Sequence, residues 1–445
     1  MTLSTRKRLV LAATVLGGGI AFLDGSIVTL ALPKIQSALN TSFSDLQWIV
    51  VGYSLSLGSL MLLGGSLGDI FGRKRIYLVG LIGFGLTSLL CATAPNVNAL
   101  IAARIVQGAF GALLVPGGLA IINTNFPREE RGAAIGKWTA FSGSFAVIGP
   151  LAGGYLLDVA SWRWIFFINL PLIALCALLG SKSIEETKDD KPRQIDVGGA
   201  ILAALALSGI CYGLIHGPTT NWAPLSVISL VIGGVLTVGF LWWESVTKDP
   251  MVPLGLFRSR NFAGSNAMTL TMYGALAGFM FALVIYLQTK MGYSSLIAGI
   301  SLLPVALLMA FFSSKVGRLS AKHGPRLFMA VGPLISAVAM LLLLSYSPGD
   351  RYLSFLLPRV ILFGIGLTLM VAPLTTTVMT SVSDSSSGIA SGINNDISRI
   401  GGLVTVAVLG ILGTAQVFRF SMGLCAVLAA SAGVMSLLII RNPKH

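Results

Sequence analysis

The sequence predicts an all-α membrane protein with fourteen transmembrane helices. Three features lead to this prediction: a low fraction of charged residues, a high fraction of hydrophobic residues, and many long apolar segments. Only 10% of the 445 residues are charged and 55% are hydrophobic, whereas about 25% of the residues of a soluble domain are charged. So few charges would not cover a soluble surface. The composition also argues against a disordered chain or a disulfide scaffold.

Each helix is predicted from a run of about 20 mostly apolar residues, bounded by charges, glycine, proline or polar clusters. The fourteen predicted spans are 9–31, 47–66, 76–94, 98–124, 133–157, 163–181, 196–216, 224–244, 262–288, 295–314, 326–346, 353–375, 387–413 and 419–440. The spans 196–216 and 387–413 carry more polar residues or glycines than the others. The gaps between spans are too short to hold a soluble domain.

The distribution of Lys and Arg predicts the orientation of the helices. If both termini are cytoplasmic, 22 of the 30 basic residues fall on the cytoplasmic side, 5 on the outer side and 3 inside helices. Cytoplasmic loops of membrane proteins carry an excess of Lys and Arg. We therefore predict a multi-pass protein of the cell (inner) membrane with cytoplasmic N- and C-termini. The net charge of +14 then needs no nucleic-acid partner.

Two pairs of segments predict an internal duplication. Residues 65–74 share Gly, Leu, Gly and a basic residue with residues 317–326 at an offset of 252. Arg104 in the fourth predicted span corresponds to Arg359 in the twelfth, at an offset of 255. In both cases the two similar segments lie eight predicted helices apart. This spacing indicates two pseudo-symmetric six-helix bundles of the kind found in secondary transporters.

The duplication predicts three parts of the chain. We expect an N-terminal six-helix bundle at 1–181, a linker with two extra transmembrane helices at 182–261, and a C-terminal six-helix bundle at 262–445.

Several motifs resemble those of the major facilitator superfamily. GSLGDIFGRK at residues 65–74 is similar to the signature loop of that family, and LIAARIVQGAFG at residues 100–111 is similar to its fourth-helix motif. GPLAGG at residues 149–154 resembles the fifth-helix motif of its antiporters. Three further stretches resemble its fourteen-helix drug/proton antiporter branch: LDGSIVTLALP at 23–33, WRWIFFINLP at 162–171 and YLQ at 286–288.

This resemblance implies a multidrug-efflux transporter rather than an enzyme. The implied activity is proton-coupled secondary active export, or antiport, of amphipathic and foremost cationic small molecules such as drugs, by alternating access. The proton is then the coupling ion, and no cofactor is expected. The expected partners are the substrate, protons and membrane lipids, without nucleic acid, and we expect a monomer. The alternative on the same fold is a proton-coupled symporter or facilitator of a metabolite or lipid.

Two acidic residues, Asp24 and Asp396, fall well within predicted spans. A carboxylate near the centre of a bilayer costs about 2.5–3.5 kcal/mol on insertion scales, so such residues usually face a cavity or a partner. We predict that Asp24 exchanges a proton and meets a cationic substrate, the alternative being a permanent pair with an arginine or a backbone donor. Asp396 lies one helical turn before Arg399, so it serves either coupling or the neutralisation of that arginine.

Arg104 lies in the fourth span without an acidic neighbour in the sequence. Inside a membrane such a residue needs a partner from another helix or a set of carbonyl groups. The resemblance implies a role in proton coupling. The alternative is a structural tie between helices one and four.

A substrate cavity is predicted from polar, aromatic and methionine side chains within the spans. Aromatic faces attract cations, and methionine adapts to varied apolar ligands. The predicted cavity residues are Asp24, Tyr53, Gln107, Met272, Tyr286, Asn394 and Asn395. Helix packing is the alternative role for the methionine and the aromatic residues.

The motifs also predict gating elements. Asp69 is expected to accept from a helix N-terminus or to pair with a basic residue such as Arg131, and making or breaking this contact would switch a gate. Because Pro150 removes a backbone hydrogen bond, we expect the fifth helix to break or bend there, or to form a packing seam between the bundles. The predicted gating residues are Gly65, Asp69, Gly72, Arg73, Arg131, Gly149, Pro150, Gly153 and Gly154.

The remaining patterns argue against ATP-driven transport, metal binding and catalysis. The glycine spacing in residues 132–138 does not match a phosphate-binding loop. His216, His323 and His445 show no ligand spacing, so no metal site is expected.

Overall fold

The computed structural model describes residues 3–189, 196–383, 386–411 and 417–442, and nearly all of them are helical. Their α-helices are α1 (Leu3–Leu39), α2 (Phe43–Phe71), α3 (Arg73–Ala92), α4 (Val97–Asn125), α5 (Arg128–Val159), α6 (Trp164–Phe167), α7 (Asn169–Ser183), α8 (Val197–Thr219), α9 (Pro224–Val246), α10 (Arg260–Thr289), α11 (Ser295–Ser301), α12 (Leu303–His323), α13 (Pro325–Leu342), α14 (Leu357–Thr380), α15 (Ser387–Val408) and α16 (Val417–Ile439). Short 3-10 segments lie at Leu254–Arg258 and Leu409–Ile411, and a π-helical turn lies at Tyr352–Leu356.

Each predicted span falls on one helix or on two closely spaced helices, and the end of the span 387–413 lies outside the described residues. Among the described residues, 12 helical stretches are long and apolar enough to cross a membrane, or up to 13 if the bent pair Phe43–Met61 and Leu63–Phe71 is one span. The helix α15 is not among them, because its asparagines and charged residues lower its hydropathy. The chain is thus a multi-pass membrane protein, while the count of fourteen spans is not confirmed.

The chain divides into two compact units. The first unit comprises Met1–Gly209, Ile232–Met251 and Ser294–Leu296. The second unit comprises Ile210–Val231, Val252–Tyr293 and Ile297–His445. The two helices between the predicted bundles, α8 and α9, each contribute to both units, and the three-part division made from the sequence stays a prediction.

Close contact between α2 and α4 forms part of the core of the first unit. A Cβ at Gly108 would lie 2.1 Å from the Ser56 hydroxyl oxygen and 2.3 Å from the Tyr53 carbonyl oxygen. A Cβ at Gly64 would lie 2.4 Å from the Ala112 carbonyl oxygen. Small residues at these positions allow the two backbones to approach each other, as is common between membrane helices.

The fifth helix forms a packing seam with α1 and is not broken. The prediction of a break at Pro150 is wrong, because α5 runs without interruption from Arg128 to Val159. Gly149 and Gly153 face α1, where added Cβ atoms would lie 2.3 Å from the Ser26 hydroxyl and 2.7 Å from the Ile27 side chain. A proline is tolerated inside a membrane helix when neighbouring groups compensate for the lost hydrogen bond. The seam lies inside the first unit.

The predicted signature loop is a single-residue junction between helices. Gly72 separates α2 from α3, and Gly324 separates α12 from α13. Their φ angles are 108° and 87°, values that glycine adopts far more readily than other residues. The two glycines occupy equivalent positions in the repeat that the sequence predicts, so the same junction occurs in both units.

Each junction is followed by a helix N-terminus that a later segment caps. In the first unit, the two carboxylate oxygens of Glu186 accept from the backbone N–H groups of Lys74 and Arg75, each at 3.0 Å. In the second unit, the side-chain oxygen of Asn442 accepts from the backbone N–H of Arg326 at 3.1 Å. The first N–H groups of a helix lack partners within it, so these caps fix the start of α3 and of α13.

We expect Gly108→Ala to destabilise the protein, because the new Cβ would force the backbone of α2 away from α4. Overpacking of this kind costs about 1–3 kcal/mol. Gly136→Ala in α5 is the matched control, because nothing lies within 4 Å of its added Cβ and alanine is favoured over glycine in helices by about 1 kcal/mol. Thermal unfolding of the purified variants in detergent measures the effect. Equal midpoints for the two variants would contradict the close contact.

Candidate functional site

Asp24 and Arg104 form an ion pair inside the first unit. Asp24 lies near the middle of α1 and Arg104 in α4, and Arg104 Nη1 lies 2.5 Å from Asp24 Oδ2. Both residues are only 1% exposed. A lone charge at such a position would be costly, and an opposite charge in contact offsets much of that cost. The two residues predicted for proton coupling in the N-terminal bundle therefore meet directly, and in this conformation they tie α1 to α4.

The Arg104 guanidinium is enclosed by aromatic and backbone groups. Its Cζ lies 4.0 Å from the centroid of the Tyr53 ring and 5.9 Å from that of the Phe166 ring. Its Nε donates to the Ile49 carbonyl oxygen at 3.4 Å. Because aromatic faces attract cations, the Tyr53 ring stabilises the buried guanidinium.

Gln107 connects the ion pair to α3. Its Oε1 accepts from Arg104 Nη1 at 2.6 Å, and its Nε2 donates to the Ser88 hydroxyl at 2.8 Å. The same Nε2 lies 3.4 Å from Asp24 Oδ1. Ser88 is fully buried, and hydrogen bonds to buried polar groups of this kind fix the side chains on which they converge.

Asn169 completes the shell around the carboxylate. Its Nδ2 donates to Asp24 Oδ1 at 3.2 Å and to the Ser88 hydroxyl at 3.3 Å. It is the first residue of α7, one position after the residue that separates α6 from α7. No role for Asn169 or Ser88 was predicted from the sequence. Polar residues inside apolar spans are the signal that would have indicated them.

The other predicted coupling and cavity residues lie in the second unit. Asn394 Nδ2 donates to Asn266 Oδ1 at 3.0 Å and to the Thr269 hydroxyl at 2.7 Å, which joins α15 to α10. Asn395 is exposed, and its Nδ2 donates to the Ser391 carbonyl oxygen within the same helix at 3.0 Å. Thus Asn394 forms a contact between helices, whereas the bond of Asn395 stays within its own helix.

Asp396 interacts electrostatically with Arg399, which lies one turn further along α15. The Oδ1 atom of Asp396 is buried without a hydrogen-bond partner. Coupling and neutralisation of Arg399 therefore both stay predictions for Asp396.

Met272 and Tyr286 belong to the packing of α10. Met272 is fully buried. The Tyr286 hydroxyl donates to the Tyr346 carbonyl oxygen at 2.8 Å, and the Tyr286 ring stacks on Phe418 at a centroid distance of 3.9 Å. Both residues therefore have packing partners here, and their predicted contact with substrate stays a prediction.

Asp69 of the predicted gate pairs with a basic residue. Arg73 Nη2 lies 2.7 Å from Asp69 Oδ1, so Asp69 pairs across the junction at Gly72. The basic partner of Asp69 in this conformation is thus Arg73 and not Arg131, whose Nε donates to the Phe126 carbonyl oxygen at 3.0 Å. Arg73 follows Asp69 by four residues, whereas Arg131 bonds to the residue that follows α4.

The segment after α7 holds this junction from the other side. The backbone N–H of Arg73 donates to the Thr187 carbonyl oxygen, and the N–H of Asp189 donates to the Asp69 carbonyl oxygen, both at 2.9 Å. Together with the Glu186 cap, these bonds attach residues 184–189 to the signature motif. None of these contacts was predicted from the sequence, because they join residues more than 100 positions apart.

Two other predicted gating glycines allow close contacts within the first unit. A Cβ at Gly65 would lie 3.7 Å from the Pro116 side chain, which is ordinary contact. A Cβ at Gly154 would lie 2.7 Å from the Leu296 Cα. Gly154 therefore requires glycine for packing, whereas Gly65 does not.

The Major Facilitator Superfamily pattern matches residues 14–406. The chain belongs to this family. The prediction made from the sequence motifs is thereby confirmed, and the family consists of transporters rather than enzymes. The paired charges of α1 and α4 and the junction at Gly72 lie in the first compact unit.

Several curated members of the superfamily are similar over most of this chain. The puromycin resistance protein pur8 of Streptomyces alboniger is 37% identical over 401 residues, which cover 89% of this chain and 79% of that protein. The multidrug resistance protein Stp of Mycobacterium tuberculosis is 36% identical and covers 90% of this chain and 75% of its own length. The tetracenomycin C resistance and export protein of Streptomyces glaucescens is 31% identical, with 92% and 76% covered.

Solved structures agree with the fold. The POT family transporter PepTSo superposes with a TM-score of 0.73 at 16% identity, covering 98% of this chain and 97% of that one. A bacterial homologue of the human lysosomal transporter Spinster superposes with a TM-score of 0.70 at 17% identity, covering 98% and 97%. At these identities the similarity concerns the fold alone.

We expect Asp24→Asn and Arg104→Gln each to lower the stability of the protein. The loss in the double variant should be smaller than the sum of the two single losses. Removing one partner leaves the other charge buried without its counter-charge, which costs about 3–5 kcal/mol. The double variant places two neutral amides in the same space. Thermal unfolding of all four proteins in detergent gives the coupling energy. Strictly additive losses would show that the two side chains do not interact.

Proposed function

We propose that the chain is a proton-coupled exporter, or antiporter, of amphipathic small molecules, with cationic drugs among its substrates. We place it in the cell (inner) membrane with both termini cytoplasmic, acting as a monomer without a cofactor. The observation that carries the proposal is the fully buried Asp24–Arg104 pair. Further support comes from relatives that are named for resistance to puromycin, to multiple drugs and to tetracenomycin C.

In the proposed mechanism, a proton and Arg104 compete for the Asp24 carboxylate. When Asp24 is ionised, its two oxygens accept from Arg104, Gln107 and Asn169. When Asp24 is protonated, its attraction to the guanidinium is lost, and α1 and α4 are no longer held by opposite charges. A change of proton occupancy thereby changes how the helices of this unit pack, which is what coupling to alternating access requires.

The proposed exchange also follows from the charge of the site. With Arg104 in place, an ionised Asp24 leaves no net charge at the pair, and a protonated Asp24 leaves a net positive charge. We propose that release of a cationic substrate is favoured in the protonated state and binding in the ionised state, because like charges repel in a medium of low dielectric constant. We assign the substrate contacts to Asp24, Tyr53 and Gln107 in the first unit and to Met272, Tyr286, Asn394 and Asn395 in the second.

The energy available is sufficient for export against a gradient. One elementary charge that crosses a membrane potential of 100 mV releases about 2.3 kcal/mol. For a neutral substrate exchanged one for one with a proton, this free energy corresponds to a concentration ratio of roughly 50. Exchange for a monovalent cation moves no net charge, so the pH difference drives it, at about 1.4 kcal/mol per pH unit. Proposed roles of Asp396 as a second coupling carboxylate, and of Asp69 and Arg73 as a gate, fit the same cycle.

We expect Asp24→Asn to abolish substrate-driven proton movement, because an amide neither binds nor releases a proton in this pH range. The measurement uses purified protein in liposomes that contain a pH-sensitive dye, with puromycin or ethidium added outside. Glu130→Gln is the control, because Glu130 forms an exposed ion pair with Lys7 and such pairs contribute little. Unchanged proton movement in the Asp24→Asn liposomes would overturn the assignment.

We expect expression of the gene to lower the accumulation of ethidium in cells and to raise resistance to puromycin. Dissipating the proton gradient with an uncoupler should return accumulation to the level of cells without the gene, because export would lose its driving force. For the alternative, a proton-coupled importer, accumulation would fall when the gradient is removed. That result would refute export.

A further inference from the structure

The Asn169 carboxamide is fully buried next to the carboxylate, and only one of its two ends has a partner. Asn169 has no exposed surface. Its Nδ2 donates to Asp24 Oδ1 at 3.2 Å and to the Ser88 hydroxyl at 3.3 Å. Its Oδ1 is buried without a hydrogen-bond partner. Leaving a buried acceptor unpaired is unfavourable, so this position calls for an explanation.

The observed orientation of the amide matches an ionised Asp24. A carboxylate only accepts hydrogen bonds, and the NH₂ end of a carboxamide only donates them. The reverse orientation would place the amide oxygen against a carboxylate oxygen. The free oxygen of Asn169 is therefore a consequence of the negative charge on Asp24.

Protonation of Asp24 reverses this requirement. A carboxylic acid carries one O–H group that must find an acceptor when it is buried. The other groups in contact with the carboxylate donate to it: Arg104 Nη1 on Oδ2 at 2.5 Å and Gln107 Nε2 on Oδ1 at 3.4 Å. Arginine has no acceptor at all, so a proton that arrives while the pair is intact binds to Oδ1.

The neighbouring side chains offer few other acceptors. The Gln107 oxygen already accepts from Arg104 at 2.6 Å, and the Cys91 thiol lies 3.6 Å from it. Among the described residues, no hydrogen bond joins Asp24 to Tyr53 or to Cys91, the other titratable groups in contact with Arg104 or Gln107. The oxygen of Asn169 is thus an acceptor with free capacity on a side chain that already contacts Oδ1.

We propose that Asn169 is a positioning residue whose carboxamide turns over when Asp24 binds a proton. In the ionised state its NH₂ group donates to Oδ1. In the protonated state a half-turn about the last side-chain bond brings its oxygen to Oδ1, where it accepts the O–H group, and the Ser88 hydroxyl donates to the same oxygen. No covalent bond changes apart from the O–H bond of the incoming proton. This inference rests on the proposed proton coupling and names the residue that stabilises both protonation states.

The test is infrared difference spectroscopy of the purified protein as the pH is changed. Protonating Asp24 should produce a carboxyl band, lost in Asp24→Asn, together with a shift of one side-chain amide carbonyl band. Asn169→Leu should abolish this amide shift. Asn125→Leu is the matched control, because Asn125 lies in the same unit but its side chain contacts Arg6, Thr124 and Ile121, so the shift should persist.

Transport separates this inference from the proposed function. Because both protonation states of Asp24 lose a partner in Asn169→Leu, we expect proton-coupled transport in liposomes to fall by about tenfold or more, with a changed pH profile. An Asp24 carboxyl band without a linked amide shift, or an amide shift that persists in Asn169→Leu, would overturn the role of Asn169. Absence of proton-coupled transport in the unaltered protein would instead overturn the proposed function.

Discussion

The first unit is organised around two opposite charges that cannot remain inside a membrane without each other. Asp24 in α1 and Arg104 in α4 are both almost completely enclosed, and their contact removes the need for water. Three further side chains surround this contact: Gln107 and Asn169 donate to the carboxylate, and the Tyr53 ring covers the guanidinium. The pair therefore determines where four helices and the start of a fifth must meet.

The close packing of these helices is a precondition for that pair. Gly108, one residue after Gln107, allows α2 to approach α4 until a Cβ would collide with the Tyr53 backbone. The approach brings the Tyr53 ring over Arg104. A larger residue at position 108 would separate the two helices and remove the aromatic cover. Gly108 of the fourth-helix motif thus affects the charge pair by setting the distance between α2 and α4.

The second unit repeats the framework of the first with different chemistry. A glycine with positive φ joins two helices in both, and a side chain from the segment after a later helix caps the next N-terminus. The polar contact between α10 and α15 uses two asparagines and a threonine instead of an ion pair. If proton binding drives the cycle, the first unit carries the tightly paired charges and the second an acid, Asp396, with an unpartnered oxygen.

The amino-acid sequence by itself determined the membrane class, the positions of the helices, the repeated glycine junctions and the family, because each depends on local composition or on short motifs. It also indicated Asp24, Arg104 and Gln107 as important, because polar side chains in membrane spans are costly and usually face a cavity or a partner. Only the tertiary structure decided which groups meet: Arg104 with Asp24, Asp69 with Arg73 rather than Arg131, and Asn169 and Ser88 with the carboxylate. It also decided that α5 continues through Pro150. Which side chains on different helices come into contact depends on the rotation of each helix and on the distance between helices. The spacing of residues along one helix determines neither quantity.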